Sequence, residues 1–185
     1  RTLADFMVTN HTHSPVRDRR DFDNVRAAIP AQALDAQAAI GEQIRTRWRS
    51  GDYTSWIGHH TLYPGVGEFI AEVPHEIVIV SAKDSTSISA ILTHHGLADA
   101  VSAVHGGCTD KNEVLSRLTE TGPVLFIDDS LANVMAAESL DLSAVWAEWG
   151  YHTTEDVLLA RSTGTTSIAL DDIGDITSST YQSVT

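Results

Sequence analysis

"VLFIDDSLANVMAAESL", residues 124–140, sets a short apolar run directly against two adjacent carboxylates, Asp128 and Asp129, and follows them with a helix-forming segment. The run is β-branched and aromatic, which favours a strand over a helix. A strand without polar alternation is buried on both faces, as in a parallel sheet. Like charges side by side at its end repel unless a cation lies between them. The stretch therefore reads as buried strand, acidic loop, helix.

Two more runs share this character: "TLADFMV" at 2–8 and "EIVIVSAKDS" at 76–85. Between and after them the spacing predicts helices. "STSISAILTHHGL" (85–97) puts Ile88, Ile91 and Leu92 on one face and stops at Gly96, and "NVMAAESLDL" (133–142) follows the acid pair. "SAVWAEWG" (143–150) and "TSIALDDI" (166–173) predict later strands. Alternating strand and helix implies an α/β fold built on a doubly wound parallel sheet. Residues 15–63 break the rhythm. "AQALDAQAAIGEQIRTRWRS" (31–50) has the spacing of an amphipathic helix with Leu34, Ala38 and Ile44 as inward candidates. This segment carries most of the chain's arginines and reads as a small helical cap inserted after the first strand. The expected division is a core of 1–14 and 64–175, a cap of 15–63 and a polar tail of 176–185. Trp48 and Trp56 are expected in the cap's own core.

With 185 residues, the chain has room for one full hydrophobic core. A formal charge of -13 argues against nucleic acid or an anionic membrane as the main partner, since phosphate backbones need a basic footprint. The single cysteine, Cys108, excludes an intramolecular disulfide, and a cytoplasmic setting is the default expectation. No apolar stretch approaches the length of a membrane span, and the first ten residues lack a signal-peptide layout.

In an open parallel sheet, ligands bind beyond the carboxyl ends of the strands. The three apolar runs end in Asp5, in Ser81, and in Asp128 with Asp129. Hard oxygen ligands of this kind suit Mg²⁺, which favours one or two carboxylates, waters and a substrate phosphate. The competing reading, that Asp129 caps the following helix, accounts for one acid and leaves the other unexplained.

At this point the chain resembles the haloacid dehalogenase (HAD) superfamily over nearly its whole length. "IVIVSAKDSTSISAILTHHGL" is similar to the family's second motif, with Ser81 as its hydroxyl, and "GGCTDKNEVLSRL" to the third, with Lys111. "VLFIDDSLANVMAAESLDL" resembles the fourth and is the most specific match, while "YPGVGEFIAEV" resembles the segment returning from cap to core. The resemblance implies Asp5 as a nucleophile forming a covalent aspartyl intermediate. It implies Mg²⁺ held by Asp5, the Met7 carbonyl, Asp129 and Asp128, and substrate contacts from Thr9, Ser81 and Lys111. The implied activity is hydrolysis of a small phosphorylated or phosphonate metabolite.

One position departs from the pattern. The first motif normally carries a second Asp that protonates the leaving alcohol, and here "DFMVT" (5–9) places Met7 there. A thioether cannot carry a proton at neutral pH. His11 and His13 are alternative proton donors by their ordinary titration range. "DFDNV" (21–25) matches the motif by letter but follows "SPVRDRR", which cannot form a buried strand. Two other readings stand beside the phosphatase: a weakened domain that binds a phosphorylated ligand without turnover, and a dehalogenase-like hydrolase acting at carbon, against which the acid pair counts. A Schiff-base phosphonatase needs a cap lysine, and residues 15–63 contain none.

Overall fold

The computed structural model describes residues 19–176. The expected first strand, with Asp5, Met7 and Thr9, lies outside the described residues, as do His11, His13 and the polar tail from 177 onward. The chain divides after His59 into two compact units.

The described part of the first unit is helical: α1 (Arg19–Ala28), α2 (Ala31–Gly51) and α3 (Tyr53–Gly58). Pro30 starts α2, where its missing N–H costs nothing. The Asp52 side chain accepts from Ser55 N at 3.0 Å and caps α3. The inward face of α2 differs from the sequence expectation. Leu34 is half-buried, but Ala38 is exposed and Ile44 is 56% exposed; the buried position is Gly41. Ile40, Ile44 and Trp48, four residues apart, instead form an exposed apolar stripe. The helix is so rich in Ala and Gln that small residues and polar stems decide its packing face, and spacing alone misassigns it. Of the two tryptophans, Trp56 is buried and Trp48 is exposed, its ring 5.0 Å from His59 edge-on. Arg45 pairs with exposed Glu42 at 2.7 Å, a contact of small energetic weight.

The second unit is α/β. α4 (Val66–Glu72) leads to β1 (Val78–Val80), α5 (Ser85–His94), β2 (Ala103–His105), α6 (Asn112–Thr119) and β3 (Leu125–Asp128). Then come α7 (Leu131–Glu138), β4 (Ser143–Ala147), α8 (Thr154–Thr163) and β5 (Ser167–Ile168). Every strand pairing among the described residues is parallel, which requires the helical crossovers seen between them. β1 pairs with β2, and β3, β4 and β5 form a second section in that order. The doubly wound sheet expected from the sequence is thus present as two parallel sections. Among the described residues neither β1 nor β3 has a strand on its other edge. An apolar cavity of about 630 Å³ has both strands in its lining, Val78–Val80 and Leu125–Ile127.

α5 begins and ends on sequence signals. Asp84 accepts from Ser87 N at 2.9 Å and from Ser87 Oγ at 2.6 Å. At the other end Gly96 takes φ +71, which lets Leu97 N reach back to Leu92 O at 2.8 Å. Ile88, Leu92 and Leu97 pack with Ile79 and Val104 of the first sheet section. The larger core gathers Leu115, Phe126, Val134, Leu142 and Trp146 around β3 and β4, with Val134 wholly buried. Residues 166–173 form a two-residue strand and then a 3₁₀ segment, Leu170–Asp175, rather than one strand. No helix of the described residues is long and apolar enough to cross a membrane.

The loops leaving β1 and β2 are knitted together. Ser81 N donates to His105 O at 2.9 Å, Cys108 N to Ser81 O at 2.9 Å, and Gly107 N to Lys83 O at 2.8 Å. Gly106 admits this approach, since a Cβ there would sit 2.6 Å from Ser85 Oγ and 2.7 Å from Lys83 O. Gly106→Ala is therefore expected to cost about 1–3 kcal/mol by overpacking against backbone, read as a lower urea midpoint. A midpoint within error of the native protein contradicts the close approach.

Candidate active site

Strand β3 delivers Asp128 at its buried end and Asp129 one residue later, in the loop before α7. The two acids stand in opposite environments. Asp128 is buried, its side chain 7% exposed, and its Oδ2 is ion-paired with Lys111 Nζ. Its other oxygen accepts from Ser130 N at 2.9 Å and from Asn133 Nδ2 at 3.0 Å. Buried carboxylates persist only when paired and hydrogen-bonded in this way. Asp129 is exposed, and no side-chain partner among the described residues reaches its carboxylate. One acid is satisfied by the protein and the next is left open to solvent.

Lys111 stands immediately before α6 and reaches Asp128 across the loop, its ammonium 5.6 Å from the Phe126 ring centroid. At 16% side-chain exposure it gives up most of its hydration, and the ion pair with Asp128 offsets that loss. Ser81 follows β1 directly and is half-buried; its Oγ accepts from Lys83 N at 3.1 Å. The structure brings Lys111 and Asp128 into contact. No hydrogen bond links Ser81 to that pair; it stands at the carboxyl end of its own strand. Asp5, Met7 and Thr9 lie outside the described residues.

Two residues that shape this site escape the sequence reading. Trp146, in β4, is 1% exposed and donates its indole N–H to the Asp129 carbonyl at 3.0 Å. Gly150 lies against the Asp129 side chain: a Cβ there would be 2.5 Å from Oδ2 and 2.7 Å from Cγ. An apolar run ending in "WG" gives no local signal of either contact, because both are made across the sheet rather than along the chain.

Among the described residues, no group of three or more His, Cys, Asp or Glu could hold a metal ion. Mg²⁺ needs no such group, being held by one or two carboxylates with waters and a substrate phosphate. The open carboxylate of Asp129 beside a satisfied Asp128 fits that donor chemistry. Asp129 would be a ligand, and Asp128, already saturated by Lys111, Ser130 and Asn133, would act through Lys111.

No family model matches the chain. A phosphoglycolate phosphatase from Synechococcus elongatus is 28% identical over 109 residues, covering 54% of this chain and 51% of that protein. The chain thus spans about half the length of the curated relative it matches. A haloacid dehalogenase-like hydrolase from Streptococcus pneumoniae is similar in structure, with TM-score 0.56 and 17% identity over 91% of this chain and 84% of that one. Protein tyrosine kinase A of Mycobacterium tuberculosis gives 0.60 and 16% over 95% and 89%. A predicted phosphoglycolate phosphatase from Haemophilus somnus gives 0.55 and 16% over 95% and 88%. At these identities the structures speak for architecture alone. The chain is built on the haloacid dehalogenase-like fold.

Proposed function

We propose that the chain is part of a Mg²⁺-dependent HAD-type phosphatase acting through an aspartyl intermediate on a small phosphorylated or phosphonate metabolite. The observation that carries this reading is the division within the acid pair: Asp128 locked by Lys111, Ser130 and Asn133, and Asp129 open beside it. A pair serving only as a helix cap would not need a buried lysine on one member and an exposed carboxylate, with no side-chain partner among the described residues, on the other.

In this proposal Asp5, at the end of the apolar run 2–8, is the nucleophile on the sequence reading. It takes the phosphoryl group from the substrate, and water then cleaves the acyl phosphate, so that one hard displacement becomes two easier ones. Lys111 contributes fixed positive charge near the transferring group, at a position held by Asp128. Ser81 and Thr9 donate to the phosphoryl oxygens. Mg²⁺ supplies charge neutralisation that lets an anionic carboxylate meet an anionic phosphoryl group. The Met7 carbonyl joins Asp5 and Asp129 as its ligands, with Asp128 positioning Lys111 beside them. The helical segment 15–63 acts as the substrate-selecting cap, and the setting is cytoplasmic. The name of the Synechococcus relative makes phosphoglycolate the first metabolite to assay. The test is phosphate release from an aryl phosphate, expected to need Mg²⁺ and to be lost in Asp5→Asn.

A further inference from the structure

We propose that Trp146, Gly150 and His152 form a positioning device that sets the Asp129 carboxylate for a divalent cation. The proposal rests on the reading of Asp129 as a metal ligand. Asp129 follows the last residue of a strand, where backbone and side chain would otherwise be free to rotate. Its carbonyl is instead fixed by the Trp146 indole N–H at 3.0 Å, from a side chain that is itself 1% exposed and locked in the core. Its Cβ, Cγ and Oδ2 lie against the bare Cα of Gly150, so closely that a methyl group there would overlap them. Gly150 is held in turn: its N–H donates to Ala147 O at 3.3 Å, and its carbonyl hydrogen-bonds with His152 Nδ1 at 3.2 Å. The His152 ring stands edge-on to Trp146 at 5.3 Å, closing the circuit.

Gly150 needs no unusual φ. It is not among the glycines in the left-handed region, so alanine would fit its backbone. What alanine would not fit is Asp129. The side chain would have to swing away from Gly150, and its oxygens would leave the direction the loop now fixes. Groups that orient a metal ligand from behind typically change affinity by about 10–100-fold when removed.

The experiment is calorimetric titration of Mg²⁺ into the folded protein, with thermal unfolding of the metal-free form measured in parallel. Gly150→Ala is expected to weaken Mg²⁺ binding about tenfold or more. Trp146→Phe, which keeps the ring but drops the N–H, is expected to weaken it in the same direction and covers the case in which Gly150→Ala fails to fold. Gly174→Ala is the control, because a Cβ there meets nothing within 4 Å, and its affinity is expected to be unchanged. A purely structural role would lower the unfolding temperature and leave the affinity of the folded protein at the native value; that result in both variants overturns the proposal. Asp129→Asn separates the two levels. If it binds Mg²⁺ like the native protein, the reading of Asp129 as a ligand fails and takes the proposal with it. If Asp129→Asn loses binding while Gly150→Ala and Trp146→Phe keep it, the positioning device alone is refuted.

Discussion

Lys111→Met is expected to lower unfolding free energy by about 3 kcal/mol, because removing one member of a buried ion pair leaves the other charged and uncompensated. Asp128 cannot turn to solvent: its side chain is 7% exposed, and its second oxygen is engaged by Ser130 N and Asn133 Nδ2. Methionine fills most of the lysine stem's volume, so the loss reports charge rather than a cavity. Adding Asp128→Asn to Lys111→Met is expected to restore part of the loss, since asparagine keeps an oxygen for both donors and no longer needs a cation. A coupling of about 1–3 kcal/mol between the two substitutions is the signature, measured by urea denaturation of the four proteins. Phosphatase turnover of Lys111→Met is expected to fall by about 10²–10³, the size seen when one preorganised donor is removed from a reacting oxyanion. A stability change no larger than that of an exposed pair such as Arg117 with Glu113 contradicts the structural role of the contact.

The second large effect concerns the leaving group. Met7 stands where the resembling family carries a proton-donating Asp, and a thioether has no proton to give. An alkyl phosphate then departs as a poorly stabilised alkoxide, whereas an aryl phosphate leaves as a weakly basic phenoxide. Loss of a general acid costs about 10²–10⁴ in rate, so kcat/KM is expected to favour aryl over alkyl phosphates by about that factor. Met7→Asp is expected to raise alkyl phosphate turnover and leave aryl turnover nearly unchanged. Equal rates on both substrates in the native protein would mean that another group, such as His11 or His13, donates the proton.

The parts of this fold that show in the sequence are those written in local chemistry. Strand β3 is legible because an unbroken apolar run meets two acids, and α5 because Asp84 and Gly96 mark its ends. Strand β2 is not: "AVH" is three half-buried residues whose pairing with β1 is a long-range event. Helix α8 carries a capping box, Thr153 with Asp156, at the spacing that marks a helix start in sequence. The inward face of α2 departs from the spacing because alanines weigh little in any periodicity. At the site, the acid pair and Lys111 could be named from sequence, but not the asymmetry between Asp128 and Asp129. That asymmetry is set by which acid points into the core, and by a tryptophan and a glycine from the next strand and its loop.

The central claim is tested most directly by phosphate release from an activated aryl phosphate in Mg²⁺, for the native chain and Asp5→Asn side by side. Release by the native protein is expected, abolished by chelation and absent in Asp5→Asn. Release that continues in Asp5→Asn, or that persists in chelator, would contradict that claim: the nucleophile would be another group, or the chemistry would need no metal.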